Sequence, residues 1–315
     1  MLKWLSLCVF FLVAFNVQVF ADSSADAQSK KITAEKPPTG IDGKIDSALN
    51  AIAPDENSIL ESRIRKENAL ANNPLGIIFY QPSYVLPYYY TGSPYQAIYN
   101  GDTPENQKVM HSEFKAQLSL MMPLWKNMFG NPNYNLNVGY TQLSYWQFYA
   151  KSQYFRETNY EPEIFFTDHF HHNWQASYGI VHQSNGRGGS MERSWNRAYL
   201  NLETSGEHWI ASIKPWILIF KSESSDLHNP DIAHYLGHER IVFSYLFDNK
   251  MQVSMALTNI ESAMKRGAVE LDYSFPLTQH INGFIQYFNG YGQSLIEYDH
   301  RTQSVGIGIA LSNWG

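Results

Sequence analysis

From about Ile77 onward, apolar and polar residues alternate with a period of two in one segment after another. The clearest cases are residues 114–124, 251–258, 267–275 and 305–311. Because successive side chains of a strand point to opposite faces, such alternation is typical of strands that bury only one face. A soluble sandwich and a membrane barrel would both show it, so a second observation has to decide between them.

The lengths of the connections between these segments favour a barrel. Tight turns, such as 203–207, alternate with longer loops, such as 91–111 and 221–232. Short turns at one end, long loops at the other and an even number of strands are typical of outer-membrane barrels. We predict an all-β fold for residues 73–315, a twelve-stranded antiparallel transmembrane β-barrel. The predicted strands lie near residues 77–90, 112–124, 133–148, 158–168, 173–183, 192–204, 207–220, 233–246, 249–259, 265–276, 279–290 and 303–314.

The composition agrees with this fold class. Charged residues make up 17% of the chain and aromatic residues 15%, and the mean hydropathy is −0.35. The charge content is below the roughly 25% of average soluble domains, yet the chain is too polar for a bundle of transmembrane helices. The net charge of −6 offers no basic surface for nucleic acid.

The alternation also predicts where side chains point. Lys115, Lys214, Glu270 and Asp272 fall on the inner face, where they can pair across a narrow lumen. Pro215 removes a backbone donor in mid-strand, which predicts a bulge there. Aromatic girdles at the two membrane interfaces would include Tyr88, Tyr89, Tyr90, Trp146, Trp209 and Trp314.

The N-terminus reads as a secretory signal peptide over residues 1–21. Lys3 supplies the positive start, an apolar core follows, and small residues precede Asp22. A membrane anchor is the alternative, but the apolar stretch is shorter than the ~20 residues that span a bilayer. The only cysteine, Cys8, lies inside this segment, so the mature chain can form no disulfide.

Residues 22–72 are predicted to form a periplasmic extension that is partly helical or disordered. They are rich in Ser, Ala, Lys, Asp and Pro. Ser58 and Glu61 have the spacing of a capping box, which predicts a helix running to about Ala71. We expect a mobile tail that contains this one short helix.

His182, Ser184 and Asn196 are the residues most suggestive of chemistry. His182 and Ser184 are two apart on a predicted strand, so they share a face. The next strand runs back antiparallel and can place Asn196 beside His182, as the orienting member of a triad. All three continue the apolar, lipid-facing parity of their strands, where polar groups are costly. An ordinary polar strand end at headgroup level is the alternative.

Several ordered blocks resemble one known family, outer membrane phospholipase A, over roughly residue 73 to the C-terminus. This resemblance implies a twelve-stranded, calcium-dependent, dimeric barrel hydrolase with phospholipase A1, phospholipase A2 and lysophospholipase activities. The blocks are YTQ at 140–142, SYWQ at 144–147, FRETNYEP at 155–162, HQSNGR at 182–187, RSWNR at 193–197, KPW at 214–216, NPDI at 229–232 and GYGQSLI at 290–296.

Carried onto the matching positions, the resemblance makes Ser184 the nucleophile, His182 the general base and Asn196 the orienter. The backbone amide of Gly186 would stabilise the oxyanion together with calcium. One Ca²⁺ per active site is expected at the dimer interface, a hard cation that takes oxygen ligands. The implied ligands are the carbonyls of Arg187 and Glu192 and the hydroxyl of Ser152 from the partner subunit.

The resemblance also implies that Gln142 pairs across the interface of a homodimer. A local hydrogen bond within the chain is the alternative. The family's second, weaker calcium site relies on acidic residues, and these match Gly189 and His228 here, so the resemblance does not carry that site over. The active site would face the extracellular leaflet of the outer membrane. A rival hypothesis from another class is a non-enzymatic outer-membrane barrel, either a narrow pore or a structural protein.

Overall fold

The computed structural model describes residues 58–70, 76–171, 173–220, 227–263 and 265–314, and residues 53–315 form one unit. The predicted signal peptide and most of the predicted extension lie outside the described residues. The described strands and helices are α1 (Ile59–Leu70), β1 (Ile78–Phe79), β2 (Ser83–Thr91), β3 (Ser112–Trp125), β4 (Tyr134–Trp146), β5 (Phe155–His171), β6 (Trp174–Ser184), β7 (Ser194–Ser205), β8 (Trp209–Ile219), α2 (Ile232–Leu236), β9 (Glu239–Leu246), β10 (Gln252–Thr258), β11 (Ala268–Pro276), β12 (Asn282–Tyr291) and β13 (Arg301–Ser312).

Strands β2 to β13 form a closed antiparallel barrel. Each pairs with the next in sequence, and β13 pairs with β2. The predicted twelve-stranded antiparallel barrel is therefore confirmed, with β1 as a short extra strand on β3. Closure leaves no unpaired sheet edge, which is the condition for a sheet to stand in lipid. No described helix is long and apolar enough to cross a membrane.

The connections divide the barrel into two unlike ends. At one, called the turn end, the strands are joined by residues 126–133, 172–173, 206–208, 247–251 and 277–281. At the other, called the loop end, the connections are mostly longer and comprise residues 92–111, 147–154, 185–193, 220–238, 259–267 and 292–300. The alternation of short and long joins read from the sequence is thus present.

The inner face carries the predicted polar residues. Lys115 is buried, and its Nζ donates to Gln286 Oε1 at 2.5 Å, while Gln286 Nε2 donates to Asp272 Oδ1 at 3.0 Å. Lys214 Nζ lies 3.6 Å from a Glu163 carboxylate oxygen. Such pairing offsets the cost of burying charge inside the barrel. A cavity of about 300 Å³ remains within the lumen.

The aromatic girdle is only partly as predicted. Tyr88, Tyr90 and Trp209 are exposed on the outer surface, but Tyr89 is fully buried in the lumen. Pro87 and Tyr88 form a bulge between the pairs Leu86–Lys115 and Tyr89–Glu113, so both face outward and Tyr89 returns inward. Trp314 lines the lumen cavity instead of the membrane interface.

Two further details differ from the sequence-based expectation. The bulge predicted at Pro215 is absent, because β8 keeps one continuous register with both β7 and β9. Pro215 has no backbone N–H to donate, and the β7 residues Leu200 and Asn201 have no pairing partner in β8. The predicted strand 233–246 begins late because residues after Pro230 form α2, which ends at Gly237 in the left-handed region with φ +71°.

The predicted helix is α1, and its first turn is bonded to the turn end. Ser58 Oγ accepts from the Glu61 amide at 3.2 Å, as the capping box requires. The Leu60 amide donates to Ser205 Oγ at 2.9 Å, and Arg63 pairs with Glu203 at 2.5 Å. This first turn is therefore bonded to the barrel. Most of the mobile tail that was expected around the helix lies outside the described residues.

Replacing Gly179 with alanine is expected to destabilise the barrel. A Cβ there would lie 2.2 Å from the Ile164 carbonyl oxygen and 2.6 Å from Phe165 Cβ. Overpacking of this kind costs roughly 1–3 kcal/mol, and should lower the urea midpoint of unfolding in detergent micelles. Gly92→Ala is the control, since its Cβ would meet only one carbonyl oxygen at 3.4 Å. Equal midpoints for the two variants would contradict the close approach of β5 and β6.

Candidate active site

Two of the three predicted triad residues are in hydrogen-bonded contact. His182 in β6 pairs directly with Asn196 in β7, and His182 Nδ1 lies 2.8 Å from Asn196 Oδ1. An amide oxygen can only accept, so Nδ1 carries the proton and Nε2 keeps its lone pair. The imidazole is thereby held in the tautomer that a general base requires.

Ser184 is the last residue of β6, two positions beyond His182 on the same face. The separation along the strand is about 6.6 Å between their Cα atoms. Within the described chain, no hydrogen bond joins the Ser184 hydroxyl to the imidazole. Catalytic hydrogen bonds are often long without substrate, so this separation is compatible with the predicted roles of the two residues.

The three side chains lie on the outer wall of the barrel. His182 is exposed in the same row as Trp174, Tyr178 and Ile180. The alternate residue Val181 is buried, and Gln183 turns inward, where its Oε1 accepts from Trp195 Nε1 at 2.6 Å. The outward parity read from the sequence is what the strands show.

The loop between β6 and β7, residues 185–193, is organised by Asn185. Its buried Oδ1 accepts from the amides of Arg193 at 3.0 Å and Arg187 at 3.3 Å, and its Nδ2 donates to the Met191 carbonyl at 2.8 Å. Asn229 adds two bonds to the Ser194 backbone at 3.0 Å. Both asparagines stand in the motif blocks, but sequence reasoning gave neither a role.

Gly186 occupies a position that only glycine adopts easily. Its φ is +64°, and a Cβ there would lie 3.0 Å from the Tyr160 ring. Among the described residues its N–H has no hydrogen-bond partner, although it lies two residues after Ser184. A free amide next to a nucleophile is the arrangement needed to receive a developing oxyanion.

The predicted calcium ligands supply oxygen but no charge. The Arg187 carbonyl accepts no hydrogen bond within the described residues. The Arg187 side chain bonds elsewhere, to Glu157 at 3.2 Å and to the Arg156 carbonyl. The Glu192 carbonyl accepts from Arg193 Nη1 at 2.7 Å and keeps a second lone pair. Within the described chain, no three His, Cys, Asp or Glu side chains gather to hold a metal. The donors present fit a hard cation such as Ca²⁺.

Ser152 lies in loop 147–154, at the same end of the barrel as the triad. Its Oγ donates to Glu105 Oε1 at 2.9 Å, a contact between two loops that sequence reasoning did not find. No sequence signal could have shown it, since the two residues are 47 positions apart.

Gln142 faces outward on β4 and is satisfied within its own strand. Its Oε1 accepts from Tyr140 Oη at 2.9 Å and its Nε2 donates to Ser144 Oγ at 3.2 Å. Gln142 pairs with Tyr160, and Tyr160 pairs with Ser184, so the three form one row across β4, β5 and β6. With strands about 4.8 Å apart, the glutamine is two strand spacings from the serine.

Comparisons with known proteins show the family of the chain. A family model described as Phospholipase A1 matches residues 60–311 and so begins inside the segment predicted as an extension. The chain is similar to phospholipase A1 of Proteus vulgaris, with 35% identity over 77% of this chain and 83% of that protein. It is also similar to phospholipase A1 of Klebsiella pneumoniae, with 34% identity over 77% and 84% of the two chains.

Solved structures give the same result. The Salmonella typhi outer membrane phospholipase dimer with bound calcium superposes with a TM-score of 0.71 and 33% identity, covering 78% of this chain and 96% of that one. Outer membrane phospholipase A from Escherichia coli gives 0.69 and 32%, covering 76% and 99%. An active-site mutant of the Escherichia coli protein, with asparagine replaced by alanine, gives 0.69 and 32%, covering 77% and 94%. The chain belongs to the phospholipase A1 family of outer-membrane barrels.

Proposed function

We propose that this chain is a calcium-dependent outer-membrane phospholipase that hydrolyses acyl esters of phospholipids and lysophospholipids with a Ser184–His182–Asn196 triad. The observation that carries the proposal is the bond between His182 and Asn196 on the lipid-facing wall, with Ser184 on the same face. Placing two polar side chains against lipid costs free energy, and such residues commonly mark functional sites. The family membership supplies the reaction class.

His182 acts as the base because Asn196 fixes its proton on Nδ1. Its Nε2 takes the proton of Ser184 as the serine oxygen attacks the acyl carbonyl. The imidazolium then gives this proton to the departing alcohol, and the acyl group stays on Ser184 as the acyl-enzyme. Water attacks the acyl-enzyme by the same route and releases the fatty acid. Asn196 stabilises the imidazolium through its amide dipole and carries no formal charge.

The Gly186 amide receives the negative charge that develops on the carbonyl oxygen. Calcium, when bound, supplies a positive charge that stabilises the same oxygen. The residues that would hold it are the carbonyls of Arg187 and Glu192 and the Ser152 hydroxyl of a second copy. The calcium in the Salmonella typhi dimer supports this assignment.

A homodimer would complete the site. Gln142, Tyr160 and Ser184 share one row, so a second barrel placed against β4 would lie close to the nucleophile. Such a neighbour could bring its own loop 147–154 to the calcium site and could exchange the local bonds of Gln142 for bonds across the interface. We further propose that the loop end faces the extracellular leaflet, that residues 1–21 are a signal peptide and that the segment up to residue 72 is periplasmic.

Ser184→Ala is expected to abolish fatty-acid release from phospholipid micelles in the presence of calcium. The hydroxyl is the proposed nucleophile, and its loss leaves the barrel unaltered, which can be checked as unchanged heat modifiability on gels. Ser190→Ala, an exposed serine in the next loop, should keep normal activity. Hydrolysis that persists in Ser184→Ala would show that another residue attacks the ester.

Gly186→Ala and Gly189→Ala form a matched pair. Both positions are left-handed, with φ +64° and +63°, but only a Cβ on residue 186 meets a neighbour, the Tyr160 ring. Gly186→Ala keeps the backbone N–H, but the contact of its Cβ with the Tyr160 ring should displace that amide. Its kcat should therefore fall towards the roughly 100-fold loss of a missing oxyanion donor, while the kcat of Gly189→Ala should fall much less. Similar losses in both variants would mean that backbone strain, and not the amide, sets the rate.

Ser152→Ala should raise the calcium concentration that gives half-maximal hydrolysis, because one ligand is removed while the triad stays intact. The measurement is a calcium titration starting from chelator-treated protein. Ser93→Ala, an exposed serine at the same loop end, serves as the control. A titration unchanged by Ser152→Ala would count against a shared calcium site.

A further inference from the structure

Residues of loop 92–111 form hydrogen bonds with all three polar groups of Ser152, which are its carbonyl, its amide and its hydroxyl. Gln107 Nε2 donates to the Ser152 carbonyl at 2.5 Å, and the Ser152 amide donates to Gln107 Oε1 at 3.3 Å. Glu105 accepts from the hydroxyl at 2.9 Å. Ser152 is only half-buried, and a loop serine at the surface would ordinarily bond to water. A serine clamped at all three groups has a fixed orientation.

The Glu105 contact decides which way the hydroxyl proton points. An ionised carboxylate has no proton to give, so Ser152 must be the donor in this bond. The hydroxyl lone pairs are then directed away from Glu105 and are available to a cation. A serine ligand has to present a lone pair, and groups outside the coordination sphere commonly fix this orientation.

Glu105 also places negative charge beside an otherwise neutral donor set. Two carbonyls and one hydroxyl carry no formal charge, so a carboxylate nearby would favour a bound Ca²⁺ by Coulomb attraction. Lys151 Nζ lies 3.2 Å from the other Glu105 oxygen, but the two side chains are 86% and 60% exposed. Such a surface pair is weak, so Lys151 is not firmly held at the carboxylate.

The backbone of loop 92–111 keeps Glu105 in this place. Glu105 and Asn106 both have left-handed backbones, with φ 54° and 52°, which residues other than glycine adopt rarely. Thr103 Oγ1 donates to the Gln107 carbonyl at 2.6 Å, and the Gln107 amide donates to the Pro104 carbonyl at 3.2 Å. Hydrogen bonds between the residues before and after Glu105 and Asn106 therefore hold this turn together.

We propose that Glu105 is a positioning residue of the shared calcium site, which orients the Ser152 hydroxyl and raises the affinity for Ca²⁺. The inference rests on the proposed function, since it assumes that Ser152 ligates calcium in a second copy. Glu105 itself contacts neither the ester nor the triad, so its role is separable from catalysis.

The test is calcium binding by the full chain in detergent micelles, followed by calorimetry and by calcium-dependent cross-linking of dimers. Glu105→Gln keeps the size of the side chain but removes its charge, and should weaken calcium binding about tenfold, the lower range for lost groups outside the coordination sphere. Glu105→Asp should restore part of the affinity. Lys151→Gln is the control and should change it less than twofold, because the exposed pair contributes little.

A double variant separates positioning from mere stability of the loop. Glu105 is proposed to act through Ser152, so Ser152→Ala combined with Glu105→Gln should bind calcium no more weakly than Ser152→Ala alone. Glu105→Gln with wild-type affinity, in a chain whose Ser152→Ala variant binds weakly, would overturn this inference and leave the proposed function standing. A wild-type chain that neither binds nor responds to calcium would overturn both.

Discussion

The hydrogen bond between His182 and Asn196 depends on the register of β6 against β7. Side chains of a strand alternate with a period of two, so a slip of β6 by one residue would turn the imidazole into the lumen and leave the Asn196 amide on the outer wall. The closed sheet prevents such a slip, because every strand from β2 to β13 is paired on both sides. The apolar outer face and the polar lumen hold the same register in place.

The position of this bond explains how a barrel can act on lipid. A phospholipid ester lies near the membrane surface, and a nucleophile on the outer wall can meet it from the side. Asn185 closes loop 185–193 around the Gly186 amide, and Tyr160 stands between the triad and Gln142 in one row. The proposed ester hydrolysis and the proposed dimer contact would thus share one side of the barrel.

The sequence predicted the strands and the outward triad because both follow from local periodicity. His182, Ser184 and Asn196 could be placed on one face by counting in twos. Contacts between loops could not be found in this way. The bond from Ser152 to Glu105 joins segments 47 residues apart, and no period connects them. The prediction for Pro215 shows the same limit. No bulge forms there, and residues 200 and 201 of β7 are left without a partner in β8, whereas a bulge that was not predicted lies at Pro87.

Lateral access to the triad can be measured most directly with a fluorophore at single cysteines. The only native cysteine is Cys8, inside the predicted signal peptide, so Ser184→Cys and Gln183→Cys give neighbouring labels on opposite faces of β6. In phospholipid vesicles, nitroxide lipids should quench the label at residue 184 more strongly than aqueous iodide does. The label at residue 183 should show the reverse. Iodide quenching that dominates at residue 184 would place the serine in the lumen and contradict the account.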